Sequence, residues 1–305
     1  MGNLRKEAGI PYRIHHVGLL CGDPAASRRY YQQVLGFKEL ARFYKDGEDE
    51  AFDLTFLYSG SDLLLELIGP PLSDGENAFI AERGHAPHHI ALETPDVDRA
   101  FEQLMQAGLK AVWEPDSFEF VRHCAILDNN GIIVEILQEL DPLPAPAVKD
   151  HVSFQFHHAS MLVESWQETA AFYKRHFGLF SPFQYIYPHG GAFVYLADKS
   201  FDEQNHNVML ELIGKPYQEA REFAFESEFG MGIDHLGVVV ADVKTAYTEI
   251  NQKSSGKTHP PYADYGTEMC WVQDPDENDI ELMRPLPTDK IREAFKSGQP
   301  YRPAG

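Results

Sequence analysis

Short apolar runs recur along the chain, and each contains at least one charged or imidazole side chain. They read HHVGLL from 15, LLLELIG from 63, HHIALE from 88, IIVEIL from 132, HHASMLV from 157, VMLELIG from 208, DHLGVVV from 234 and DIELM from 279. Runs this short, rich in β-branched residues, predict strands. They fall far below the roughly 20 apolar residues that a membrane span needs. Amphipathic stretches lie between them. DPAASRRYYQQVLGF (23–37) predicts a helix with Asp23 as cap, Pro24 in the first turn and Gly36 at the stop. DVDRAFEQLMQAG (96–108) predicts another, with Asp96 or Asp98 at its start and Gly108 at its end. TDKIREAFKSG (288–298) predicts a short helix after Pro285 and Pro287.

The pattern repeats. RIHHVGLLCGDPAASRRYYQQVLGF (13–37) matches QFHHASMLVESWQETAAFYKRHFGL (155–179), and LLLELIGPP matches VMLELIGKP. HHIALETPDVDRAFEQLMQAG matches DHLGVVVADVKTAYTEINQKS, and ILDNNGIIVEIL matches VQDPDENDIELM. The halves correspond in order along their length. Each half is itself double, because a second His-led strand restarts the cycle of strand, helix and strands. The expected string is four consecutive βαβββ modules. The expected boundaries are a first domain at 12–140, a Pro-rich linker at 141–152, a second domain at 153–286 and a C-terminal helical tail at 287–305. The linker prolines cannot donate to a ladder and stiffen an extended connection.

Composition narrows the setting. With 26 Lys and Arg against 47 Asp and Glu, the formal charge is −21. A field of that sign repels phosphate backbones and anionic membrane surfaces, so neither nucleic acid nor membrane is expected as a partner. Three scattered cysteines, Cys21, Cys124 and Cys270, make no disulfide framework and fit a reducing cytosol. The N-terminal segment has no apolar signal core, and Lys6 breaks the myristoylation pattern. A cytoplasmic protein, monomer or homodimer, is the expectation.

The chemistry sits inside the apolar runs. The first half offers His16, Glu66, His89 and Glu135; the second offers His158, Glu211, His235 and Glu281 at corresponding places. The same number of residues separates His89 from Glu135 as His235 from Glu281. A polar residue within an apolar strand faces a cavity or solvent, because side chains alternate. A lone Glu there reads as an edge residue and a lone His as a satisfied core residue. Eight in matched positions read as ligands. Imidazole and carboxylate suit Zn, Ni, Co, Mn or Fe as a divalent ion, with two ions per chain if both sets work. Of each His pair the second is taken as ligand, since His88-His89 aligns with Asp234-His235. His15, His88, His157 and Asp234 are then expected on the opposite face, packing there rather than orienting the ligands. Whether the cups form within halves or between them stays open.

At these residues the chain resembles the vicinal oxygen chelate superfamily, which includes glyoxalase I, methylmalonyl-CoA epimerase, type I extradiol dioxygenases and fosfomycin-resistance proteins. IHHVGLLCGDPAASRRYYQQVLGF, HHIALETPDV and DPDENDIEL carry the likeness, which covers about 12–140 and 153–286. It implies an α+β fold with βαβββ modules paired into two incomplete barrels around metal. It also implies a metal-dependent isomerase, epimerase or lyase of the glyoxalase type, acting on a small carbonyl substrate through a metal-stabilised enolate. Glu135 and Glu281, the last ligand of each set, are then the favoured bases.

Two other readings stand beside it. One is an Fe(II) extradiol dioxygenase, although Trp271 stands where that pattern expects a Tyr. The other is a metal-free small-molecule binding protein. Arg122 and His123 precede the closing strand of the first half where Glu268 and Met269 stand in the second. Arg122 reads as a solvated strand residue rather than a carboxylate clamp. Phe183, Tyr185, Tyr187, Phe193 and Tyr195 permit an aromatic ligand but read first as core or strand-face residues.

Overall fold

The computed structural model describes residues 12–44, 53–60, 63–69, 87–118, 121–140, 154–188, 190–198, 208–215, 233–251, 258–264 and 267–284. The linker at 141–152 and the tail at 287–305, with its expected helix, lie outside them.

Among the described residues, each module has one strand, one helix and three further strands. Module 1 comprises β1 (Arg13–Leu20), α1 (Pro24–Gln33), β2 (Lys38–Tyr44), β3 (Asp53–Tyr58) and β4 (Leu64–Gly69). Module 2 comprises β5 (Pro87–Glu93), α2 (Val97–Gln106), β6 (Lys110–Phe118), β7 (Val121–Leu127) and β8 (Ile133–Glu139). Module 3 comprises β9 (Gln155–Val163), α3 (Trp166–Phe177), β10 (Gln184–Ile186), β11 (Ala192–Ala197) and β12 (Val208–Gly214). Module 4 comprises β13 (Ile233–Val239), α4 (Val243–Asn251), β14 (His259–Asp264), β15 (Thr267–Gln273) and β16 (Asp279–Met283).

Local chemistry sets the helix starts. Asp23 accepts from the Ala26 amide at 2.9 Å, with Pro24 where no amide is needed. Asp96, rather than Asp98, caps α2 by accepting from the Arg99 amide at 3.0 Å. Ser165 and Asp242 cap the other two helices in the same way.

The strands form two curled eight-stranded sheets, and each takes one module from each half. One runs β14-β15-β16-β13-β1-β4-β3-β2 and joins modules 1 and 4; we call it the terminal sheet. The other runs β10-β11-β12-β9-β5-β8-β7-β6 and joins modules 2 and 3, the central sheet. The sequence repeat therefore divides the chain at its middle, while the half-barrels are built across that division. Within a module the first and last strands run parallel; the two first strands of a sheet meet antiparallel. The first strands are buried on both faces, since helices and apolar core cover one side and the cup closes over the other.

Polar pins link the two modules of each half. Tyr31 on α1 donates to Asp128 at 2.9 Å, and Tyr173 on α3 donates to Asp274 at 3.2 Å. Both acids close turns by accepting amides from the following residues, Asn130 and Ile132 in one and Asp276 and Asn278 in the other. Each pin runs from a helix of one sheet to a turn of the other.

Candidate metal centres

Register brings the ligands together. In every module the last or fourth strand pairs in parallel with the first, and its Glu lies opposite the residue two beyond the His. Glu66 pairs with Gly18, Glu135 with Ala91, Glu211 with Ser160 and Glu281 with Gly237. His and Glu thus share one face of neighbouring strands. The antiparallel joint adds the second pair. His16 lies opposite Gly237 and His235 opposite Gly18; His89 lies opposite Ser160 and His158 opposite Ala91.

The cups therefore form between halves. In the terminal cup His16, Glu66, His235 and Glu281 are all buried, with ligand atoms within 4.8 Å of one another. His16 Nε2 lies 3.3 Å from Glu66, 3.2 Å from Glu281 and 2.9 Å from His235 Nε2. His235 Nε2 lies 3.1 Å from Glu66 and 3.8 Å from Glu281. Bonds of about 2.1 Å to one ion put neighbouring donors about 3.0–3.4 Å apart, so the set fits a divalent metal.

The central cup brings His89, His158 and Glu211 within the same mutual 4.8 Å. Glu211 lies 3.5 Å from each His Nε2. Glu135 stands beside them, 3.4 Å from His89 and 3.8 Å from His158, but turns its Oε1 to His123 Nδ1 at 2.5 Å. The buried Nε2 atoms of His89 and His158 make no hydrogen bond. Two imidazole nitrogens and one carboxylate aimed at one point, with a second carboxylate beside them, suit a cation.

The residues before the ligand histidines orient them. Asp234 accepts from His235 Nδ1 at 2.9 Å, which fixes the proton there and leaves Nε2 as the metal-facing lone pair. His15, His88 and His157 place Nδ1 against Nδ1 of His16, His89 and His158 at 2.9, 2.8 and 2.7 Å. Outer-face packing, the sequence expectation for these four, is thus corrected. A strand residue cannot reach its neighbour's ring from straight across the sheet, but the bulges between Ile14 and His16, and between Pro87 and His89, relax the alternation.

Electrostatics in the central cup hold Glu135 ionised. Burial would raise its pKa, but the hydrogen bond with His123 and the nearby His89 ring outweigh that and set it well below the usual carboxylate range. Burial, with Glu211 and Glu135 nearby, pushes the Tyr195 hydroxyl well above its ordinary value, so it stays protonated and donates to Glu211.

The central cup opens into a cavity of about 400 Å³. Trp113, Phe118, Tyr185, Tyr187, Phe193 and Tyr195 line it, beside His88 and His123. Four of the five aromatics read first as core therefore face the cavity; Phe183 packs on Tyr195 with ring centres 4.7 Å apart. Trp113 and Phe118 carried no sequence signal beyond their place on a strand. Arg122 points away from the cup and clamps Asp98 through two bonds of 2.6 and 2.8 Å. Trp271 packs edge-on against His235 at 4.9 Å and donates to the Tyr262 hydroxyl. Among the described residues no helix is long and apolar enough to cross a membrane.

A family model for the Glyoxalase/Bleomycin resistance protein/Dioxygenase superfamily matches residues 13–136 and 155–282. Among solved structures, glyoxalase I from Zea mays is similar at 19% identity with a TM-score of 0.67, over 94% of this chain and 95% of that one. A putative dioxygenase from Bacillus subtilis is similar at 15% identity and a TM-score of 0.63, over 97% and 93%. The uncharacterized protein YaeR of Escherichia coli is 24% identical over 134 residues, 42% of this chain and 96% of its own length.

Proposed function

The chain belongs to the Glyoxalase/Bleomycin resistance protein/Dioxygenase superfamily, and on that premise we propose that it is a metal-dependent isomerase or lyase working in its central cup. The coarse part, a vicinal oxygen chelate enzyme that depends on metal, follows from membership. The finer part rests on one observation: Glu135 stands beside the three other ligands at the mouth of an aromatic cavity, with one oxygen held by His123.

His89, His158 and Glu211 would hold the ion, with Glu135 as the fourth, exchangeable group. A divalent ion bound there supplies Lewis acidity that takes up charge developing on a substrate carbonyl oxygen. Glu135 does the proton work. Ionised and anchored at Oε1, it presents Oε2 to accept a proton from the carbon next to the carbonyl. The same carboxyl returns that proton to the neighbouring carbon or the opposite face, so no co-reactant is consumed. Of the two glutamates favoured on sequence as bases, Glu135 carries the role. The cavity walls suit a small carbonyl compound with an aromatic or apolar body.

The test is deuterium exchange. The protein, loaded in turn with Zn, Ni, Co, Mn or Fe, is incubated in D₂O with aryl-substituted α-hydroxyketones and thiohemiacetals. Exchange at the α-carbon that Glu135→Gln lowers by about 10²-fold or more supports the reading. No exchange with any metal overturns it.

One feature favours a second reading. His89, His158 and Glu211 by themselves form a two-His, one-carboxylate set of the kind non-haem Fe(II) oxygenases use. Oxygen uptake with catechols by the Fe(II)-loaded protein, without exchange, would replace the isomerase by an extradiol-type dioxygenase.

A further inference from the structure

The cups are related by register, so each residue of one has a counterpart in the other. Opposite Glu135 stands Ala125, with His123 two residues earlier on β7; opposite Glu281 stands Trp271, with Met269 two residues earlier on β15. Opposite Glu211 stands Tyr195; opposite Glu66 stands Phe56. The two polar groups that touch carboxylates in the central cup are therefore a thioether and a phenyl ring in the terminal cup. Neither can hold or move a proton.

The antiparallel joints differ as well. A Cβ at Gly18 would lie 2.4 Å from the His235 ring, and one at Gly237 would lie 1.9 Å from the His16 ring. Each ring therefore rests on the glycine backbone across from it. The central cup has Ser160 and Ala91 at these places. Close approach at the glycines lets the terminal Nε2 atoms come within 2.9 Å and lets all four ligands converge. Phe56 packs edge-on against His16 at 5.1 Å, and with Ala41, Leu64, Val239, Met269 and Met283 it forms an apolar cluster. All four donors of the terminal cup point at one place, as in a site built to hold metal, whereas Glu135 of the central cup is turned aside to His123.

We propose that the terminal cup holds its divalent ion as a structural clasp between the first and last modules and takes no part in turnover. His16 and Glu66 come from one end of the chain, His235 and Glu281 from the other. An ion shared among them cross-links the termini of the fold and adds its binding free energy to stability.

The full chain loaded with Zn²⁺ and challenged with EDTA tests this without an assay of turnover. Two ions per chain are expected, one leaving at least about tenfold more slowly than the other. Melting temperature should fall by about 5 °C or more with the slow phase and little with the fast one. Glu281→Gln should abolish the slow phase; Glu211→Gln should abolish the fast one. Loss of both ions in a single phase, or of the slow ion without a fall in melting temperature, overturns the clasp. So does a slow phase that persists in Glu281→Gln. Those outcomes leave the central-cup reading intact. No uptake by the terminal cup overturns the clasp alone, no uptake by the central cup overturns the proposed function alone, and no uptake by either ends both.

Discussion

His123 Nδ1 lies 2.5 Å from Glu135 Oε1, and this contact separates the proposed base from an ordinary fourth ligand. A carboxylate free to turn would bind the ion with either oxygen. Anchored by the imidazole, it keeps one oxygen for substrate. Replacing His123 with Met, the residue its counterpart position carries, should lower kcat by about 10- to 100-fold and change KM little. Metal content should stay the same. A fall in metal content equal to the fall in rate would make His123 a support of the metal site instead.

Tyr195 tests the other half of the comparison. Tyr195→Phe removes a hydroxyl that donates to Glu211 and reproduces the terminal cup's Phe56. Loss of a hydrogen bond to a charged group in a buried site costs about 1.5–3 kcal/mol. Metal affinity in the central cup should fall by about 10-fold or more, while the slow ion of the terminal cup is retained. Unchanged affinity at both sites, measured by competition with a chelating dye, would contradict the assignment.

The two tyrosine pins should matter for folding and not for chemistry. Tyr31→Phe and Tyr173→Phe each remove one hydrogen bond to a buried carboxylate and leave the ring in place. Each should cost about 1–3 kcal/mol in urea denaturation. The costs should add, because the pins lie in different halves. A double variant no less stable than either single one would show that the pins belong to one cooperative unit.

Arg122 carries the pH prediction. Its hydrogen bonds hold the Asp98 pKa below the usual carboxylate value. The pair therefore stabilises the fold fully above the unfolded Asp pKa of about 3.9 and loses that contribution as pH falls through the lower folded value. Both side chains are solvated, so the effect is small. Arg122→Ala should lower the urea midpoint slightly at pH 7 and not at all well below pH 3, and should leave kcat/KM within about twofold. A larger midpoint loss in acid than at neutrality would reverse the sign.

Much of this was legible in the chain. Four His and four Glu stood out because each interrupts an apolar strand at a matching place in its module; the register that makes them converge is set by the strand pairing of the folded sheets. Asp23 announced its helix through ordinary capping chemistry, as did Asp96 or Asp98, of which the structure uses Asp96. Module pairing was not legible from the ligand pattern, because modules 1 and 2 would offer the same two His and two Glu as modules 1 and 4. One signal was present and easily passed over: Gly18 and Gly237 sit two residues beyond His16 and His235, where modules 2 and 3 have Ala91 and Ser160. Glycine inside a strand marks close approach of another group, and these two meet across one joint. The cavity aromatics were hidden for a different reason. Alternation places Tyr185, Tyr187, Phe193 and Tyr195 on faces, but only the curl of the sheet decides which face encloses space.

The nesting of the two sheets also sets an order in time. All eight strands of the central sheet lie between Pro87 and Gly214, in one uninterrupted stretch of chain. During synthesis they are complete before β13 has left the ribosome. The terminal sheet is split around them, and β1 waits for β13 to be made before its open edge finds a partner. Through that interval module 1 exposes the apolar strand that carries His16, so of the four modules the first made is the one most prone to aggregate.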